Sequence, residues 1–117
     1  MLVTTALVLI VQGHDRSRAD MAATLRAEGY DILEAETVAA ASELARDAAP
    51  AAILLDPMLP DGSGYDLYAQ LQRDTATNSI PVLFLPTPTG EGGDTQRQVL
   101  VGGLDVATRL GDRKSVV

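Results

Sequence analysis

The sequence predicts an open α/β fold, a doubly wound parallel sheet with helices on both faces, as a single domain over residues 1–117. Three observations carry this. Ala6-Leu7-Val8-Leu9-Ile10-Val11 and Ala52-Ile53-Leu54-Leu55 are continuous apolar runs too short for helices, as expected of strands covered on both faces. Such runs alternate along the chain with segments of helical period, joined by short connections. Asp56 stands directly after the second of these runs, at the C-terminal edge of its strand, where open parallel sheets bind ligands and do chemistry.

The elements follow in order. The run 6–11 reads as the first, central strand, and Gln12, Gly13, His14 and Asp15 as the loop after it. Over residues 16–28, Met21, Ala22 and Leu25 recur at helical spacing with Arg16, Arg18, Asp20 and Arg26 outward, and Gly29 is placed to cap the helix C-terminus. Asp31-Ile32-Leu33-Glu34-Ala35 is a short strand whose polar content suits a sheet edge. Thr37 can cap the next helix, where Val38, Ala41, Ala45 and Ala48 make one face and Pro50 ends the segment. After the Asp56 strand, Pro57 and Pro60 break the chain, and Asp61, Gly62, Ser63 and Gly64 supply a turn. Ser63 with Asp66 has the form of a capping box, and Leu67 and Leu71 supply the buried face of a short third helix. Residues 80–85 read as the fourth strand, with Pro81 at its first, unpaired position. The stretch 86–93 holds two prolines and three glycines, so 94–101 can form at most a short fourth helix, ended by Gly102 and Gly103. Residues 106–109 are the fifth strand, and 110–117 are too few for a long last helix. The sequence therefore reads as a piece of a longer protein, or as one whose last helix is replaced by a partner.

Composition narrows the function classes. The net charge is −7, with nine basic residues against sixteen acidic ones and a pI of about 4.4. A duplex-binding surface must replace counterions with Lys and Arg, so nucleic acid is not an expected ligand and protein partners are. The absence of cysteine excludes disulfides and thiolate metal sites and suits a cytoplasmic protein. The first apolar run is six residues long with no cation before it, which is neither a signal peptide nor a membrane span. With one Phe, three Tyr and no Trp, the core must be built from Leu, Val, Ile and Ala.

Leu54-Leu55-Asp56-Pro57-Met58-Leu59-Pro60-Asp61-Gly62-Ser63-Gly64 resembles the phosphoacceptor segment of bacterial response-regulator receiver domains. The resemblance covers about residues 6–110, through five strand-like runs in the expected order. It implies a flavodoxin-like five-stranded sheet of order 2-1-3-4-5 and a signalling module in a two-component phosphorelay rather than an enzyme. It also implies a phosphoacceptor at Asp56, Mg²⁺ held by carboxylates at the ends of the first and third strands, a histidine kinase as partner and a C-terminal output domain.

Five positions depart from that pattern. The acidic pair after the first strand is replaced by Gln12, which offers an amide oxygen, and Gly13, which offers no side chain. Asp56 is thus the only aligned carboxylate for Mg²⁺, with Asp15 as an auxiliary if the loop bends back. The hydroxyl residue ending the fourth strand is replaced by Pro86, with Thr87 one place further on, and the fifth-strand Lys by Arg109, a planar fork of different reach. The aromatic switch position of that strand holds Val106. These losses favour a degenerate receiver acting through protein contacts with weak or no phosphorylation. The alternatives are a working phosphoacceptor at Asp56, and a flavodoxin-like small-molecule site, for which the only support is the Thr87-Pro88-Thr89-Gly90-Glu91-Gly92 loop. Asp56 paired with Arg109 is the purely structural reading of that carboxylate. Met58 and Tyr65 read as packing residues beside it, and His14 as a solvated loop side chain. Weak self-association is expected on the fourth-helix and fifth-strand face, which a short tail leaves uncovered.

Overall fold

In the computed structural model, which describes residues 6–85, the order of elements is β1 (Leu7–Val11), α1 (Asp15–Ala27), β2 (Asp31–Ala35), α2 (Val38–Ala48), β3 (Ala52–Leu55), β4 (Met58–Leu59), β5 (Gly62–Ser63), α3 (Gly64–Arg73) and β6 (Val82–Phe84). The main sheet is parallel, in the order β2-β1-β3-β6. Parallel neighbours need crossovers, and α1, α2 and α3 provide them. Counted along the main sheet this is second, first, third, fourth. The predicted fifth strand, fourth helix and tail lie outside the described residues.

The central strands are apolar because both of their faces are covered. Val8 and Ile10 of β1 pack with Ala52 and Leu54 of β3, Ala22 and Leu25 of α1, and Leu85. The alternate residues Leu9 and Val11 pack with Ile53 and Leu55 against Ala41 and Ala45 of α2 and Leu67 and Leu71 of α3. A period of two thus divides each strand between two cores, one per face. The edge strand β2 keeps Asp31 and Glu34 exposed, as its composition suggested.

The helix ends follow local chemistry. At the end of α1, Gly29 has φ of 98°, Tyr30 N–H donates to Leu25 O at 3.1 Å and Gly29 N–H to Arg26 O at 3.0 Å, the two bonds of a Schellman cap. Thr37 Oγ1 accepts from Ala40 N–H at 3.1 Å and caps α2. That helix ends on Ala49 in the left-handed region, φ 47°, because Pro50 disfavours a right-handed residue before it. Ser63 caps α3, but its Oγ accepts from Tyr65 N–H at 3.1 Å, one residue earlier than a capping box with Asp66 requires.

Three expectations need correction. The turn after Asp56 is a small antiparallel hairpin, β4 with β5, in which Met58 faces Ser63 and Leu59 faces Gly62. Met58 is 78% exposed and does not pack, because β4 alternates and it is the other residue, Leu59, that packs against the core. The fourth strand is shorter than 80–85. Pro81 lacks an N–H and only accepts, from Ile53 N–H at 2.9 Å, while Ile80 N–H closes a turn onto Thr77 O at 3.1 Å.

Candidate functional site

The chain leaves β1 for β2 on one side and later returns to β3 on the other, so the C-terminal ends of β1 and β3 flank the point where the winding reverses. In open α/β sheets that crevice is the binding edge. Gln12 and Gly13 end the first strand there and Asp56 the third, so the fold brings together the residues that the sequence singled out.

Asp56 is half-buried, and its N–H donates to Val11 O at 2.9 Å, which ties its backbone to β1. Its Oδ1 accepts from Met58 N–H at 3.0 Å, a carboxylate bonded to the backbone two residues on. Gly64 opens α3 hard against this turn. Its N–H donates to Pro57 O at 2.9 Å, and a Cβ at this position would run into Asp56 O and sit 3.0 Å from Pro57 Cα. Only glycine lets the helix approach this closely.

At the end of β1, Gln12 N–H donates to Ala35 O at 3.0 Å and Gln12 O accepts from Arg18 Nη1 at 2.8 Å. Its side-chain Oε1 is covered and has no hydrogen-bond partner among the described residues. Gly13 lies under Pro60, and a Cβ there would come within 2.9 Å of Pro60 Cδ. Asp15 is the first residue of α1, and its Oδ1 takes Arg18 Nη2 at 2.7 Å. Arg18 also donates through Nε to Glu34 Oε1 at 3.1 Å. Its guanidinium is held above its ordinary pKa, chiefly by the hydrogen bond to Asp15. The auxiliary carboxylate is therefore shared with a fixed cation. His14 is exposed and makes no side-chain cap bond to α1.

Mg²⁺ needs near-octahedral oxygen ligation with carboxylate charge concentrated at the site. Gln12 Oε1 and the Asp56 carboxylate are the oxygen donors that the aligned positions supply, and no group of three or more His, Cys, Asp or Glu among the described residues could hold a metal. This donor set does not fit a resident Mg²⁺ site.

Two features escaped the sequence reading. Asp61, in the hairpin turn, accepts from Val38 N–H at 2.7 Å through Oδ1 and from Ala39 N–H at 3.3 Å through Oδ2. The Val38 hydrogen bond holds its carboxyl below the ordinary aspartate range. Nothing local signals a contact across 23 positions. Tyr65, already read as a packing residue, is joined by Tyr68 of α3 in tilted contacts with Phe84 of β6, with ring centroids 4.9 and 5.6 Å apart and planes at 36° and 59°. The spacing of Tyr65 and Tyr68, three apart on one helix face, was the available signal. Pro86, Thr87, Val106, Arg109 and the glycine-rich loop lie outside the described residues. No helix among the described residues is long and apolar enough to cross a membrane.

The family described as response regulator receiver domain matches residues 8–111. The chain is similar to the phosphate regulon transcriptional regulatory protein PhoB of Pseudomonas aeruginosa, 38% identical over 102 residues, which is 87% of this chain and 44% of that protein. It is also similar to protein PilH of the same organism, 31% identical over 86 residues, 74% of this chain and 71% of PilH. The chain thus spans about half the length of the PhoB proteins it matches, 44% to 48%. Among solved structures, the chemotaxis response regulator CheY4 of Vibrio cholerae superposes with a TM-score of 0.75 at 21% identity, covering 89% of this chain and 99% of that one. The receiver domain of sensor histidine kinase PA1611 of Pseudomonas aeruginosa, solved with magnesium coordinated in its active-site cleft, gives a TM-score of 0.68 at 24% identity, covering 80% of this chain and 75% of that one. These structures carry the fold alone.

Proposed function

The chain belongs to the response regulator receiver domain family, and from that premise we propose that it is an atypical receiver of a two-component pathway that acts mainly through protein contacts, with little or no phosphorylation of Asp56. One observation carries the proposal. The edge that should concentrate negative charge presents Gln12 and Gly13 beside Asp56, and Asp15 is taken up by Arg18. Without two or three clustered carboxylates, a divalent cation has little to gain by shedding its water, and an entering phosphoryl group then lacks the metal charge that would neutralise it.

In this reading the partners are a histidine kinase or another signalling protein, together with an output domain of the kind the transcriptional regulatory relatives suggest. The setting is the cytoplasm, where the absence of cysteine costs nothing. Weak self-association remains part of the proposal. The second reading, a working phosphoacceptor, is favoured by family membership and by the half-buried Asp56 at the binding edge.

A Mg²⁺ titration followed through backbone amide shifts tests the proposal. The amides of Gln12, Asp56 and Met58 should show no saturable change across the millimolar range in the parent chain. Gln12→Glu, which returns a second carboxylate to the end of β1, should make the shifts saturable. Saturation of the parent chain at low millimolar Mg²⁺ would overturn the proposal.

A further inference from the structure

The segment after Asp56 is fixed at both of its flanks. Pro60 rests on Gly13 of the β1–α1 loop, close enough that a methyl group there would meet Cδ at 2.9 Å and the neighbouring Glu36 O at 3.8 Å. Asp61, next in the chain, closes both carboxylate oxygens on the first two amides of α2. Gly62 then lies where a Cβ would touch Val38 Cγ2 at 3.4 Å. Pro60 and Asp61 thus tie the hairpin to the β1–α1 loop and to the N-terminus of α2, both remote in sequence. The other end of the same hairpin is Met58, whose N–H sits on Asp56 Oδ1.

Taking Asp56 as the carboxylate of the site, as the reading above does, we propose that Asp61 is a positioning residue. By clamping the β4–β5 hairpin to the N-terminus of α2, it holds the Met58 amide on the Asp56 carboxylate and so sets the rotamer and exposure of that side chain. The physical basis is a charge-assisted pair of hydrogen bonds at the positive end of a helix, stronger than the neutral cap that Thr37 supplies to Ala40 at the same terminus. The depressed titration of Asp61 agrees with a carboxylate held in its charged form by Val38 N–H. Because Thr37 caps the same helix but belongs to the β2–α2 loop, it separates helix capping from hairpin positioning.

Residue-resolved hydrogen exchange at the Met58 amide tests this, on the isolated chain without metal, kinase or phosphoryl donor. Asp61→Ala should speed Met58 exchange at least about fivefold, the equilibrium factor for losing a cap. Asp61→Asn, which keeps one acceptor oxygen, should fall between it and the parent. Gly13→Ala, which pushes Pro60 from the other flank, should speed it as well. Thr37→Ala should leave Met58 unchanged while loosening Ala40. Equal acceleration by Thr37→Ala, or no acceleration in either Asp61 variant, would overturn the proposal. A phosphate adduct on Asp56 would overturn the functional reading above and leave this order of exchange rates untouched.

Discussion

Gly64 is the most tightly confined of the described glycines, since a single methyl group there collides with the Asp56 peptide. Gly64→Ala should therefore destabilise the chain by about 1–3 kcal/mol, read from the urea midpoint, because helix start and strand end must separate. Ala49 is the reverse case. It holds a left-handed conformation that L side chains rarely adopt, so Ala49→Gly should raise stability by about 0.5–1 kcal/mol in the same assay. Asp61 and Asp74 both titrate below their ordinary values, each held by a backbone N–H, of Val38 and of Ala76. A depressed folded pKa gives stability that is full above the unfolded value and is lost as pH falls through the folded one. Asp61→Asn should accordingly flatten the loss of stability below about pH 4, as followed by circular dichroism across an acid titration. Thr37 and Gly29 were legible because their partners lie within four positions and announce themselves through local chemistry. Asp61 looked like a turn residue because its partners lie on another element.

At the scale of elements, legibility tracked length and period. The strands β1 and β3 were plain because an unbroken apolar run has few alternatives, and β2 because its charges mark an edge. The hairpin β4–β5 was not, because strands of two residues have no period to read and Pro57 and Pro60 pointed to irregular backbone. The same blindness made Met58 a packing residue on paper and an exposed one in the fold. Buried strand positions carry the stability. Leu54, fully buried between α1 and its neighbouring strands, should lose about 2–5 kcal/mol on Leu54→Ala, measured by denaturant unfolding. Helix α1 is tied at its N-terminal end by Arg18, which joins Gln12 O, Asp15 and Glu34 and so links the helix to the end of β1 and to β2.

Over the whole molecule, the alternation of apolar runs with helical segments disclosed a doubly wound sheet because each strand must feed two cores, and the observed division of Leu9 and Val11 from Val8 and Ile10 is the physical form of that requirement. The winding order then fixes where the site must be, at the ends of β1 and β3, before any chemistry is considered. What stands there among the described residues is the half-buried carboxylate of Asp56 with an amide and a glycine beside it, in an acidic chain of net charge −7. The most direct measurement is the intact mass of the chain after incubation with acetyl phosphate and Mg²⁺, with Asp56→Ala alongside. In a working receiver an Asp56 oxygen attacks phosphorus, acetate leaves, and an acyl phosphate remains. The account predicts no adduct, or only a trace, on a chain that stays folded. A stoichiometric phosphate adduct on the parent chain that is absent from Asp56→Ala would contradict it.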